Sequence, residues 1–165
     1  MAIRINRSVA LLALAVLSLA IQTGAVNAAQ TIPSLDTATV PLLRELRGKV
    51  VLLDFWASWC APCRASFPWM NDLQRQHAND GLVVIGVNVD MQPELAQAFL
   101  RDTPAVFRIA NDASGDLATR FDLQAMPTSF LIDRQGRIRH RHSGFRNEQR
   151  AAREQQVLAL LKEKA

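Results

Sequence analysis

The chain has 165 residues, 49% hydrophobic and 21% charged, with 7 Gly and 7 Pro, a balance that excludes collagen-like, low-complexity and disordered chains. A domain of this length buries a core without staples, so its 2 cysteines call for a chemical account. The formal charge of +4 falls to +2 (17 basic against 15 acidic) once residues 1–28 are set aside, and the remaining basicity gathers late: residues 134–165 hold 9 Lys/Arg against 3 Asp/Glu, whereas residues 29–133 hold 8 against 12.

Residues 1–28 read as a secretory signal. Arg4 and Arg7 precede an apolar run from Val9 to Ile21, Gln22-Thr23-Gly24 breaks it, and Val26-Asn27-Ala28 offers small residues where a signal peptidase reads. The run is shorter than the about 20 apolar residues of a bilayer-spanning helix. The expectation is cleavage near Ala28, a periplasmic or otherwise exported product of 137 residues, and no stable membrane insertion afterwards. No cysteine lies near the cut, which excludes lipid attachment at a new N-terminal Cys.

Residues 29–165 then form a single domain. Residues 29–41, with Pro33 and Pro41, read as an extended lead-in. Val50 to Phe55 is a short apolar block rich in β-branched and aromatic residues, the mark of a buried strand. Ala61 to Ala78 reads as a helix with Met70 and Leu73 on one face, a kink at Pro68 and a stop at Asn79-Asp80-Gly81. Leu82 to Val89 is a second buried strand, so the first βαβ unit implies parallel pairing and a right-handed crossover. A helix from Pro93 to Leu100, a strand from Ala105 to Ile109 and a short helix from Gly115 to Phe121, capped by Ser114, follow.

Thr128 to Ile132 and Arg137 to His142 are strands joined by Asp133-Arg134-Gln135-Gly136, whose Gly suits a tight hairpin turn. Asn147 caps a last helix with Val157, Leu158, Leu160 and Leu161 on its apolar face. In the run Arg137 to His142 the arginines alternate, which at strand period gathers them on one side. Charged side chains of this kind protect an edge strand. Nucleic-acid contact is the disfavoured alternative, since no aromatic platform interleaves with the charges. The order of elements predicts an α/β fold, a mixed central sheet with helices on both faces.

The chemistry sits at Trp59-Cys60-Ala61-Pro62-Cys63, directly after a strand and at the start of a helix. Backbone N–H groups at a helix N-terminus stabilise a thiolate, so Cys60 should ionise below the free value of about 8.5. Cys63 lies one turn deeper. The expected cycle is attack by Cys60 on a substrate disulfide, formation of a mixed disulfide, and release by Cys63. Pro62 stands in the first turn, where its missing N–H costs little. Two other uses of the pair remain open: a structural disulfide, which in so small a loop stabilises little, and a zinc site, for which His140 and His142 supply neither the number nor the spacing of the missing ligands.

Phe55 to Arg64, Phe67-Pro68, Gly86 to Asp90 and Met126 to Gly136 together resemble the thioredoxin fold. Leu46 to Val51, leading into the first strand, and the long stretch Met91 to Ala125 make the chain most similar to the TlpA/ResA-like exported thiol-disulfide oxidoreductases. The resemblance covers about residues 42 to 145 and implies an extra strand and helix before a cis-proline. That proline is Pro127, packed against the cysteines, with Met126 offering backbone hydrogen bonds to an extended substrate. Trp59, Ala61 and Pro62 are the remaining substrate-facing residues it implies, Pro68 is its helix-kinking proline, and Trp56 reads as packing.

Asp54 is a carboxylate in an otherwise apolar strand, which predicts burial, a raised pKa or a proton-transfer role. Its position resembles the buried aspartate of thioredoxins, the acid/base for the resolving cysteine. Many TlpA-like proteins have Asn there and a Glu three residues after the second cysteine, where this chain has Ser66. The resemblance implies an exported reductase of specific protein disulfides, for example in cytochrome c maturation or copper-protein assembly, kept reduced by a membrane thiol-disulfide electron donor. It implies neither a cofactor nor a metal. Two alternatives stand beside it, an oxidising or isomerising foldase and a noncatalytic copper- or zinc-binding module.

Overall fold

The computed structural model describes Thr37 and residues 40–164, so the signal segment and most of the lead-in lie outside the described residues. Eleven segments follow in order: α1 (Pro41–Arg44), β1 (Val50–Trp56), α2 (Ala61–His77), β2 (Leu82–Asn88), α3 (Pro93–Asp102), β3 (Arg108–Asn111), α4 (Asp116–Arg120), β4 (Thr128–Ile132), β5 (Ile138–Ser143), a 3-10 turn (Asn147–Gln149) and α5 (Arg150–Lys162). The sheet order is β3-β2-β1-β4-β5. β1 and β2 pair parallel, as do β2 and β3, while β4 runs antiparallel to both β1 and β5. This is the thioredoxin-like fold, with its mixed sheet and its additional strand and helix ahead of Pro127.

β1 is central and buried along its whole length because both of its faces are covered. Val50, Leu52 and Trp56 point into a cluster with Phe67, Met70 and Leu73 of α2, Ala96 and Phe99 of α3, and Val157 and Leu160 of α5. Val51, Leu53 and Phe55 point the other way, into a cluster with Leu43 of α1, Phe121, Phe130 and Ile132, against which Leu117 and Ala118 of α4 pack. Gly86 keeps β2 close to its neighbours: a Cβ there would stand 3.0 Å from both the Phe107 and Trp56 rings.

Four expectations about element ends and caps need correction. Pro41 does not lie in an extended segment but opens α1, where its fixed φ suits the first turn. The third strand starts at Arg108 rather than Ala105, because Asn71 of α2 donates to Pro104 O (2.9 Å) and accepts from Val106 N (2.7 Å), holding that stretch away from the ladder. Ser114 does not cap α4. The cap comes from Asp112, whose carboxylate accepts from Leu117 N and Ala118 N at 3.0 and 2.8 Å, while Ser114 Oγ donates to Asp116. Nor does Asn147 cap the last helix directly; it opens the 3-10 turn, and α5 begins at Arg150 with a buried face of Arg153, Val157 and Leu160.

β5 is an edge strand, as its charges predicted, and Gly136 takes the positive φ of 76° that the hairpin turn requires. Its arginines are not gathered on one side. A bulge between Leu131 and Ile132 shifts the register. Arg139 pairs with Asp133 and Glu163, whereas Arg141 lies over the Phe130 ring. Arg134 donates to Gly48 O, Asp80 O and Leu161 O, tying three segments together. Much of the late basic charge is therefore internal fastening.

Candidate active site

Cys60 and Cys63 are joined as a disulfide, with their Cα atoms 5.2 Å apart. Cys60 occupies the N-cap of α2 in extended conformation, and its sulfur accepts from Cys63 N at 3.2 Å. The sulfur thus stands where a Ser or Asp oxygen stands in an ordinary cap, facing the positive end of a 17-residue helix. Cys60 retains 5% of its surface and Cys63 none, so only the first sulfur is placed to meet another molecule. Trp59, 70% exposed, and the exposed Ala61 and Pro62 surround it.

The loop that carries Cys60 is fastened from below. Val89 N donates to Trp56 O (3.0 Å), and the buried Asp90 carboxylate accepts from Ser58 N (2.9 Å), Ser58 Oγ (3.0 Å) and Asn88 Nδ2 (2.8 Å). Trp56 is a packing residue, its ring 5.1 Å from Phe67 and 4.7 Å from Phe99. Behind Cys63, Ser66 Oγ donates to the Cys63 carbonyl at 2.9 Å.

The Met126–Pro127 peptide bond is cis. β4 begins at Thr128, opposite Phe55 near the end of β1, so Pro127 and the cysteine loop leave the sheet at the same end. Pro127 is buried, and the half-buried Met126 packs against both hydrophobic clusters. Gly144 N donates to Pro127 O at 2.7 Å, joining the proline to the strap that follows β5.

Asp54 lies in β1 between Leu52 and Trp56 on the face that packs against α2 and α5, and it keeps only 4% of its surface. Its Oδ2 has no hydrogen-bond partner. Burial pushes its pKa up to about 8, and the Arg153 charge pulls against that rise. Among the described residues, no three His, Cys, Asp or Glu side chains gather closely enough to hold a metal ion. What the arrangement can do chemically is exchange one disulfide for another at the Cys60–Cys63 pair.

The sequence model of the Redoxin family matches residues 25–160. The chain belongs to the Redoxin family. Within it, the chain is 32% identical over 96 residues to the thiol-disulfide oxidoreductase ResA of Bacillus thuringiensis subsp. konkukian, covering 58% of this chain and 56% of that one. ResA of Oceanobacillus iheyensis is 33% identical over 103 residues, covering 62% and 53%. The chain thus spans little more than half the length of the curated relatives it matches. Among solved structures it is similar to a protein from Chlorobium tepidum described as a thiol:disulfide interchange protein DsbE, with 48% identity, a TM-score of 0.71 and coverage of 72% of this chain and 84% of that one. A protein from Bacteroides thetaiotaomicron described as a protein disulfide isomerase gives 33%, 0.67, 73% and 79%. These matches and the fold make the chain a thioredoxin-like protein of the TlpA/ResA kind.

Two residues of this Redoxin-family site escaped the sequence. Asp90 lies two residues past the end of β2, and only the folded loop shows that it holds Ser58. Arg153 stands on α5 among arginines that look alike, yet it is buried, donates to Gly144 O and Gln149 Oε1 at 2.9 Å each, and lies 5.7 Å from the Phe145 ring. Its one available signal was the spacing to Val157 and Leu160, which puts it on the apolar face.

Proposed function

We propose that the chain is an exported thiol-disulfide oxidoreductase working as a disulfide reductase on specific protein disulfides, such as those formed in cytochrome c maturation or copper-protein assembly. The observation that carries this is Cys60 at the N-cap of α2, its sulfur accepting the Cys63 N–H. In the reduced protein the same N–H and the helix dipole stabilise a Cys60 thiolate. The thiolate attacks one sulfur of a substrate disulfide, and the other substrate sulfur leaves as a thiolate, which takes up a proton. Asp54 then takes the Cys63 proton, the Cys63 sulfur attacks Cys60, and the second substrate thiolate departs. Substrate loses its disulfide and the protein gains the Cys60–Cys63 bond, so each turnover needs two electrons from a membrane thiol-disulfide donor.

Trp59, Ala61 and Pro62 form the surface against which the substrate lies, and Met126 with Pro127 supplies backbone for an extended strand. Residues 1–28 direct export and are removed near Ala28. The names of the ResA relatives support thiol-disulfide exchange, and the residue pair Ala61-Pro62 supports the reducing direction.

The test is to replace Cys63 by Ser, express the full chain and isolate disulfide-linked adducts from the exported fraction. The expected result is one or a few defined proteins held on Cys60. Adducts spread over many unrelated exported proteins would indicate a general foldase, and absence of any adduct would overturn the oxidoreductase reading.

A further inference from the structure

A buried cation ordinarily has an anion beside it, and Arg153 has none. It keeps 6% of its surface because it stands one turn before Val157 on the docked face of α5, yet among the described residues it forms no ion pair. Its guanidinium is held on two sides only. The guanidinium carbon lies 5.7 Å from the Phe145 ring centroid, and Nη2 makes both hydrogen bonds, to Gly144 O and Gln149 Oε1. Nε and Nη1 have no partner among the described residues, and neither is sealed from solvent.

Beside the guanidinium is a cavity of about 170 Å³, lined by His142, Gln149, Ala152, Arg153 and Gln156. Its two side-chain amides present donors. Gln149 Oε1 is occupied by Arg153 Nη2, and Gln156 Oε1 lies 2.8 Å from His142 Nε2. An amide oxygen only accepts, so the His142 proton sits on Nε2, and both glutamines keep their NH2 groups for a ligand. His142 Nδ1 is the one side-chain acceptor left in the lining. Burial, and after it the Arg153 charge, push His142 below the ordinary histidine range, so Arg153 is the only charge there at neutral pH. Among the described residues no Asp or Glu lines the cavity. At about 30 Å³ per water, the volume takes a small ion together with water.

We propose that this cavity is a binding site for a small oxyanion of the phosphate or sulfate type, held by Arg153 Nε and Nη1 and by the amide donors of Gln149 and Gln156. The site is built by β5, the 3-10 turn and α5; it contains neither cysteine and does not depend on the thiol–disulfide reading. The ligand supplies the missing counter-charge through charge-assisted hydrogen bonds, and an oxyanion suits the guanidinium edge because two N–H groups there meet two oxygens. The same guanidinium holds Gly144 O, and Gly144 N donates to Pro127 O at 2.7 Å, so occupancy is readable in the strap that follows β5.

The test titrates the oxidised full chain with inorganic phosphate at pH 7 and constant ionic strength, following the Arg153 Nε–H, the Gln149 and Gln156 side-chain amides and the Gly144 N–H by NMR. The expected result is a saturable shift of these resonances with a midpoint of about 1 mM, the affinity of a few charge-assisted hydrogen bonds, and no such shift in Arg153→Gln. Absent or non-saturating shifts in the wild type, or the same saturable shifts in Arg153→Gln, overturn the proposal. Ala152→Glu decides the matter if that variant does not fold. It leaves the hydrogen bonds of Arg153 in place and sets a carboxylate in the lining, so phosphate should bind about tenfold more weakly. Unweakened binding in Ala152→Glu overturns the proposal. The cysteines stay in their disulfide throughout, so this outcome is independent of whether the Cys63→Ser protein traps a substrate.

Discussion

At the scale of single residues, the burial of Asp54 ties its ionisation to stability. Its folded pKa of about 8 stands above the ordinary carboxylate value of 3.8, so between those limits the folded chain holds a proton that the unfolded chain has released. Stability therefore falls as pH rises through that window, by about 1.4 kcal/mol per pH unit. Asp54→Asn removes this penalty. In chemical denaturation of the oxidised protein it should stabilise by several kcal/mol at pH 8, with the gain shrinking toward pH 4. The same variant should slow the attack of Cys63 on a mixed disulfide at neutral pH and abolish the rate increase near pH 8. A rate–pH profile identical to wild type would remove Asp54 from the mechanism. Asp54 was legible because a carboxylate interrupts an apolar strand. Arg153 was not, since an arginine in a charged helix reads as solvated until the helix is docked.

At the scale of elements, the hairpin of β4 and β5 depends on Asp133. Its buried carboxylate accepts from Gln135 N (3.0 Å), Arg137 N (2.9 Å), Arg137 Nε (2.8 Å) and Arg139 Nη1 (3.3 Å). Burial works to raise its pKa, but the bonds from Arg137 and Arg139 prevail and hold it below the usual range. The stabilisation is therefore present above the ordinary carboxylate range and is lost as pH falls through the depressed value. Asp133→Ala should cost about 2 kcal/mol in denaturant titration at pH 7, and less in acid. Asp112→Ala removes the cap of α4 and should cost about 1 kcal/mol at the same pH. Apolar patterning placed β1, α2, β2 and β4 within a residue or two. It failed where side-chain hydrogen bonds decide the backbone: Asn71 delays β3, and Asp112 rather than the nearer Ser114 caps α4.

At the scale of the whole molecule, the strand order brings the cysteine loop, the Asp90 fastening and Pro127 to one end of the sheet, while Arg134 ties segments through Gly48, Asp80 and Leu161. The mixed sheet with two covered faces was readable from the βαβ order and the closing hairpin. The fate of the basic C-terminal quarter was not, because charge patterning shows how many arginines there are and not which carbonyls and carboxylates they meet. Trp59 and Met91, 70% and 83% exposed, belong to the loops that the Ser58–Asp90 bonds draw together, so the cysteine end carries the most exposed large apolar side chains among the described residues. Trp59→Ala should leave stability unchanged within about 0.5 kcal/mol and weaken turnover of protein disulfides more than that of a small disulfide reagent.

The proposed cycle makes Cys60 the attacking thiol, activated by the start of α2. Alkylation of the reduced protein by iodoacetamide across pH, with the modified site located by peptide mass, tests it most directly. Cys60 is expected to react first, with a midpoint below about 8.5, while Cys63 is protected. Preferential reaction at Cys63, or equal reaction of both thiols with an unshifted midpoint, would contradict it.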